Sequence, residues 1–191
     1  MEQWDIYDIQ GNLTGRVKPR MAAFEKGEYH LACSLWLINP NGKALIQKRS
    51  LTKEISPGMW NITGGAASAG ESSKEACLRE VAEEIGLKLN PQDITLLSRT
   101  FNDDDCIFDD YIIIYNFDIA TAIIQPEEVA ELKWAAIDNI KKLYDEGQFM
   151  FSDIKELDKV EDFIKNTLVS VSRQNVGKPN GEKPATPWFH Q

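Results

Sequence analysis

The sequence predicts an α+β fold, a mixed β-sheet with helices packed on its faces. Three observations carry that expectation: hairpin signals in the first fifty residues, a helical stretch near residue 80 marked at both ends, and two amphipathic stretches in the last third. The chain opens on Trp4-Asp5-Ile6-Tyr7-Asp8-Ile9, which alternates apolar and polar residues, then Gly11-Asn12, then Leu13 to Lys18; this reads as a hairpin over residues 1–20. Leu31 to Ile38 is a stronger strand. Asn39-Pro40-Asn41-Gly42 supplies turn chemistry for a return at Lys43 to Lys48. After Pro57-Gly58, a short run from Met59 to Thr63 leads into the helical stretch, and strands follow at about 94–99 and 111–119, joined by the polar loop Asn102 to Asp110. A short strand near 132–136 precedes a helix at about 137–146. The last helix, about 153–171, carries Ile154, Leu157, Val160, Ile164, Leu168 and Val171 at helical spacing.

At 191 residues, 42% of them hydrophobic and 27% charged, the chain suits one globular domain. The expected division is a domain over 1–172 that includes the hairpin, and a flexible tail over 173–191, poor in apolar residues and rich in Pro and Gly. A formal net charge of -9 argues against nucleic-acid and membrane-surface partners, which ask for a basic face. An acidic chain still binds phosphates when a metal cation stands between. Cys33, Cys77 and Cys106 lack metal-site or redox-motif spacing, leave an odd one over, and read as reduced packing residues. The acidic start has no apolar leader core, and no run is long enough to span a bilayer, so the expected compartment is the cytoplasm.

The stretch Gly65-Ala-Ala-Ser-Ala-Gly-Glu71-Ser-Ser-Lys-Glu-Ala-Cys-Leu-Arg79-Glu80-Val81-Ala-Glu83-Glu84-Ile-Gly86-Leu87 sets five carboxylates against two cations. Ser72 and Glu75 have capping-box spacing and Gly86 is a C-terminal stop, which predicts a helix over 73–85. At about 100° per residue, Cys77, Leu78, Val81 and Ile85 form an apolar stripe, with Glu80, Glu83 and Glu84 together beside it. Like charges one turn apart oppose the helix. A divalent cation, Mg²⁺ or Mn²⁺, gives the cluster a reason, because such ions take hard oxygen ligands; a solvated acidic face is the plain alternative. Arg79, four residues before Glu83, is spaced to orient it by an ion pair. Gly64-Gly65 before the helix would let backbone approach a ligand closely.

This stretch resembles the Nudix box, G-x5-E-x7-R-E-U-x-E-E-x-G-U with U a bulky aliphatic, at every fixed position: Gly65, Glu71, Arg79, Glu80, Val81, Glu83, Glu84, Gly86 and Leu87. Pro57-Gly58-Met59-Trp60 and Trp134 are similar to the family as well, and the likeness covers about residues 1–170. The resemblance implies the Nudix α/β/α sandwich and a hydrolase that cleaves a phosphoanhydride in a nucleoside diphosphate derivative. It implies Mg²⁺ or Mn²⁺ held by Glu80, Glu83, Glu84 and the Gly64 carbonyl, with Gly65, Glu71, Arg79 and Gly86 in structural or orienting roles. The catalytic carboxylates it points to are Glu80, Glu84 and Glu128, with Glu127 a further candidate base. Lys48 and Arg49 are candidates for the substrate phosphates, or simply exposed. A small diphosphate is the implied partner, and a homodimer stays open.

The segments WDIYDIQGNLTGRVKPR, GEYHLACSLWLINPNGKALIQKRS and KEISPGMWNITGG resemble the Nudix branch that includes isopentenyl-diphosphate isomerases and their hydrolase relatives. The isomerases carry Cys-Gly-His where this chain has Gly64, Gly65 and Ala66, so the resemblance implies hydrolysis. Isomerase-like activity is the alternative, and a non-catalytic nucleotide-binding domain is a third reading. His30 falls where the isomerases hold another metal ligand, but packing at the start of its strand is the expected role; His190 lies in the tail. Of the acidic run Asp103, Asp104, Asp105, Asp109 and Asp110, read as a solvated loop, Asp110 is the expected site member because it borders a strand.

Overall fold

The computed structural model describes residues 2–20, 22–102, 105–150 and 154–175. Strands β1 (Gln3–Tyr7) and β2 (Leu13–Pro19) form the antiparallel N-terminal hairpin. It buries Trp4 and Ile6 and joins the body where Tyr7 and Tyr29 exchange backbone hydrogen bonds of 2.8 and 3.0 Å. The main sheet is mixed and has seven strands: β3 (His30–Ile38), β4 (Ala44–Arg49), β5 (Trp60–Asn61), β6 (Thr63–Ala66), β7 (Thr95–Asn102), β8 (Cys106–Ile114) and β9 (Val129–Ala135).

Strand β3 is its centre. Apolar residues point to both faces of HLACSLWLI, a pattern that suits a strand covered on both sides. It pairs in parallel with β8 along its whole length, from His30↔Cys106 to Ile38↔Ile114, and antiparallel with β6. The expected β3–β4 hairpin is therefore corrected. Its turn forms, with Asn41 and Lys43 amides each donating to Asn39 Oδ1 at 3.0 Å, but the arms pair only at Ile38↔Ala44. Beyond that rung β4 leaves to pair with β9 and β5.

Alternation along the strands sorts two cores. Leu31, Cys33, Leu35 and Leu37 of β3 meet Ala76, Cys77, Val81 and Ile85 of helix α1 (Ser73–Ile85) on one face. Trp36 and Ile38 meet Ile137 and Ile140 of α2 (Ile137–Asp145) and Leu157 and Val160 of α3 (Glu156–Asn175) on the other. The result is the α/β/α layering. Helix α1 has the expected ends: Ser72 Oγ and Glu75 complete a capping box, and Gly86 takes the left-handed conformation at φ 74°.

Residues 102–110 differ from expectation. Strand β7 runs to Asn102 and β8 begins at Cys106, so most of the supposed polar loop is a hairpin; Asp103 and Asp104 lie outside the described residues. Asp109 and Asp110 are each 1% exposed. Strand pairing hides them because each finds donors: Arg99 and Ser73 for Asp109, Ser34 and Ser98 for Asp110. Strand β8 also stops at Ile114, and 119–121 is a single 3₁₀ turn. Helix α3 continues to Asn175, past residue 172; residues 176–191, including His190, lie outside the described residues.

Gly64 sits where β6 crowds β3. A Cβ there would stand 2.2 Å from the Cys33 carbonyl oxygen and 2.8 Å from Ser34 Cα, closer than atoms can approach. Gly64→Ala is expected to cost more than about 3 kcal/mol of stability by strand displacement. Gly27→Ala, which meets open space but sits at φ 86°, should cost only about 1 kcal/mol. Urea denaturation of the two variants checks the contrast.

Candidate functional site

The loop between β6 and α1 and the solvent side of α1 are tied together by Arg79. Its Nε and Nη2 bond Glu71 Oε1 and Oε2 at 2.9 and 3.0 Å, Nη1 bonds Glu80 at 2.8 Å and Glu83 at 3.1 Å, and Nη2 reaches the Ala66 carbonyl at 3.1 Å. Glu83 is thus one partner of several, and Glu71 the principal one. These bonds, the Glu71 pair first, raise the Arg79 pKa above its ordinary value. Glu71 also accepts the Ser68 amide at 3.0 Å, which fixes the loop from inside.

The three clustered carboxylates have three different environments. Glu83 is exposed, Glu80 is half-buried, and Glu84 is buried at 5% exposure. Burial pushes Glu80 upward against the pull of Arg79. Burial also pushes Glu84 up to about 8, with the charges of Glu80 and Glu128 adding to the rise. A hydrogen bond from Gln47 Nε2 to Glu84 Oε2, 2.9 Å, opposes that rise, as does the charge of Arg49. Gln47 in turn accepts the Thr63 hydroxyl at 3.0 Å. Gly65 makes room here, since a Cβ would lie 2.5 Å from Glu80 Oε1. At Gly64 the missing side chain serves strand packing, a different reason from ligand approach. Gly86 likewise leaves room, where a Cβ would meet Ile123 Cβ at 2.9 Å.

Glu128 ends the turn before β9. Its carboxylate pairs with Lys53 at 2.5 Å, its carbonyl accepts the Ser50 amide at 2.9 Å, and its charge acts on both Glu80 and Glu84. Glu127 contributes its carbonyl to Thr52 at 3.4 Å. Lys48 and Arg49 separate. Ile46 belongs to the α2–α3 core and Gln47 reaches Glu84, so Lys48 turns away from α1, its Nζ 5.7 Å from the Trp60 ring centroid. Arg49 stays near Glu84 and donates to the Ile55 carbonyl at 3.1 Å.

One expectation is corrected. Asp110 is on the opposite face, under α3, bonded to Ser34, Ser98 and Glu156, and takes no part in the carboxylate group. The missed signal is strand parity: Asp109 faces α1, so its neighbour cannot. His30 has the expected packing role: it stacks on Trp4 at 4.3 Å between centroids, with Phe24 at 5.6 Å, and burial lowers its pKa. Gln47, Thr63 and Lys53 were missed, because uncharged or isolated residues on other strands and loops carry no local signal. Among the described residues no three His, Cys, Asp or Glu side chains converge as a ready metal cage. The donor chemistry nonetheless fits a hard divalent ion: the carboxylate oxygens of Glu80 and Glu84 are neighbours whose burial opposes ionisation in the free chain.

The family model of the NUDIX domain matches residues 28–152. The chain belongs to the Nudix family. It is 30% identical over 151 residues to an uncharacterized Nudix hydrolase of Listeria monocytogenes, covering 78% of this chain and 89% of the relative. A Listeria innocua protein of the same description is 32% identical over 153 residues, with the same coverage of 78% and 89%. The isopentenyl-diphosphate Delta-isomerase of Citrobacter koseri is 27% identical over 168 residues, covering 85% of this chain and 93% of the isomerase. Among solved structures, a Deinococcus radiodurans protein superposes with a TM-score of 0.69 at 21% identity, covering 84% of this chain and 98% of that one, which shows the shared fold.

The Nudix helix of this chain thus buries a carboxylate that opposes folding once ionised. Unfolded, Glu84 ionises near 4.5; folded, near 8. Between those values the folded chain keeps a proton that the unfolded chain has released, so stability falls as pH rises from about 4.5 to about 8. In EDTA, Glu84→Gln is expected to remove this fall, gaining on the wild type by order of a few kcal/mol at pH 8 relative to pH 4.5. Urea denaturation at the two pH values checks it.

Proposed function

We propose that this chain is a Mg²⁺- or Mn²⁺-dependent hydrolase that cleaves a diphosphate linkage in a nucleoside diphosphate derivative. The observation that carries the reading is Glu84: a carboxylate buried on the Nudix helix, beside Glu80 and within the field of Glu128, is costly to the free protein and is relieved by a bound cation. Glu80 and Glu84 would hold the ion, joined by Glu83 on release from Arg79 and by the Gly64 carbonyl. A divalent ion in such a site neutralises phosphate charge and makes water a better nucleophile.

The chain's own residues divide the remaining work. Arg79 and Glu71 hold the loop and keep the helix carboxylates aimed. Arg49 is the cation of the β4 pair that shares their neighbourhood and would meet a substrate phosphate. Glu128, paired with Lys53 and with its charge acting on Glu80 and Glu84, would accept a proton from the attacking water. Lys48, facing Trp60, is left with a packing role.

The likeness to isopentenyl-diphosphate isomerase supports a second reading. That reaction moves a proton on and off carbon and needs an acid beside the alkene. Gly64 and Ala66 offer no acid side chain, which favours hydrolysis.

Two measurements test these readings. Glu83→Gln and Glu84→Gln should each lower kcat by at least about a hundredfold at saturating substrate and Mg²⁺, in a screen of nucleoside diphosphate derivatives followed by phosphate or monophosphate release. Unchanged turnover in both would take the helix out of the chemistry. Incubation with isopentenyl diphosphate in D₂O should give no deuterated dimethylallyl product; deuterium incorporation that depends on Glu84 would restore the isomerase.

A further inference from the structure

Position 47 presents a puzzle of composition. On β4 the residues facing α1 are expected to be apolar, as Leu45 is, yet Gln47 is 3% exposed and carries an amide. A buried amide destabilises the fold unless both ends are bonded. Here both are: Thr63 Oγ1 donates to Oε1 at 3.0 Å, and Nε2 donates to Glu84 Oε2 at 2.9 Å. The carboxylate decides which way the amide points, because an ionised Glu84 can only accept. With the NH₂ group facing the helix, Oε1 faces Thr63, whose hydroxyl rotates to donate to it and braces the amide.

We propose that Gln47 is a positioning residue for the metal-binding carboxylate, holding Glu84 in place through a relay that begins at Thr63. The inference rests on the reading of Glu84 as a metal ligand. Three side chains from three elements form the relay: Thr63 opens β6, Gln47 lies in β4 and Glu84 is in the last turn of α1. All three are nearly closed to solvent, at 5%, 3% and 5% exposure, so water does not substitute readily for a missing partner. A free glutamate samples several rotamers, and freezing it when the ion arrives weakens binding. Gln47 removes that freedom beforehand. The bond engages Oε2 and comes from a neutral donor, so it orients the carboxylate without cancelling its charge as an arginine would. Arg79 holds Glu80 and Glu83 by charge; Gln47 holds Glu84 by geometry.

The test is Mn²⁺ binding, followed by the electron paramagnetic resonance signal of the free ion, with the melting temperature in EDTA measured alongside. Gln47→Leu, close in volume, should weaken Mn²⁺ binding about 10- to 100-fold, the range for residues that orient a metal ligand. Its melting temperature in EDTA should fall only modestly, because Thr63 and Glu84 lose a buried partner while leucine adds apolar packing. Thr63→Val should weaken binding several-fold, whereas Thr63→Ser, which keeps the hydroxyl, should bind as the wild type does. The threonine pair decides the matter should Gln47→Leu fail to fold. Glu84→Gln separates the two levels of the argument. If it binds Mn²⁺ as the wild type does, the metal reading itself is overturned. If it loses binding while Gln47→Leu and Thr63→Val retain wild-type affinity, the metal reading stands and the positioning role is overturned. A lower melting temperature in these two with unchanged Mn²⁺ affinity also overturns it, leaving Gln47 a purely structural residue.

Discussion

The guanidinium of Arg79 is the interaction on which the site's arrangement depends. It has five N–H groups and makes five hydrogen bonds, to Glu71 twice, to Glu80, to Glu83 and to the Ala66 carbonyl. One planar cation thereby ties the loop after β6 to the helix surface and fixes the direction of the Glu71, Glu80 and Glu83 carboxylates. A lysine could not, since three donors on a point charge lack the fork geometry. The pairs are partly exposed and worth little each in stability; their effect is geometric. Without Arg79, three glutamates and the loop carboxylate would repel one another at the end of a helix whose position the site requires.

The sheet divides function from scaffold by parity. On the α1 face lie Glu84, Gln47 and, farther along β8, Asp109, which anchors the first turn of the helix through Ser73 and is itself gripped by Arg99 at 2.6 Å. On the other face Asp110, Ser34 and Ser98 lie beneath the start of α3, and Lys48 and Lys133 flank the Trp60 ring. Adjacent residues of one strand, Asp109 with Asp110 and Gln47 with Lys48, therefore belong to different layers and different tasks. A sequence reading that groups neighbours by charge puts such pairs together, and the pleat takes them apart.

Helix α1 was legible because its signals are local: the cap at Ser72, the stop at Gly86, the apolar stripe and the charged sector all lie within sixteen residues. The N-terminal hairpin, the central strand and the two later helices were legible for the same reason. What misled was composition. The run from Asn102 to Asp110 looks like a loop because it is acidic, yet Asp109 and Asp110 are buried strand residues whose donors come from residues 10 to 76 positions away. The turn at Asn39 to Gly42 was read correctly while the pairing beyond it was not, because a turn's chemistry fixes a reversal and not which strands lie alongside.

The sequence by itself determined the box glycines and carboxylates, their spacing on one helix, and that Gly64 and Ala66 stand where the isomerases it resembles carry cysteine and histidine. Spacing along a helix is a covalent fact, rigid once the helix forms. Only the tertiary structure decided how those carboxylates differ, with Glu83 in solvent, Glu80 on Arg79 and Glu84 buried on Gln47. It also decided that Lys53 stands on Glu128 and that Thr63 bonds Gln47. Those partners come from other strands and loops, and desolvation depends on what packs above a residue, which no local pattern records.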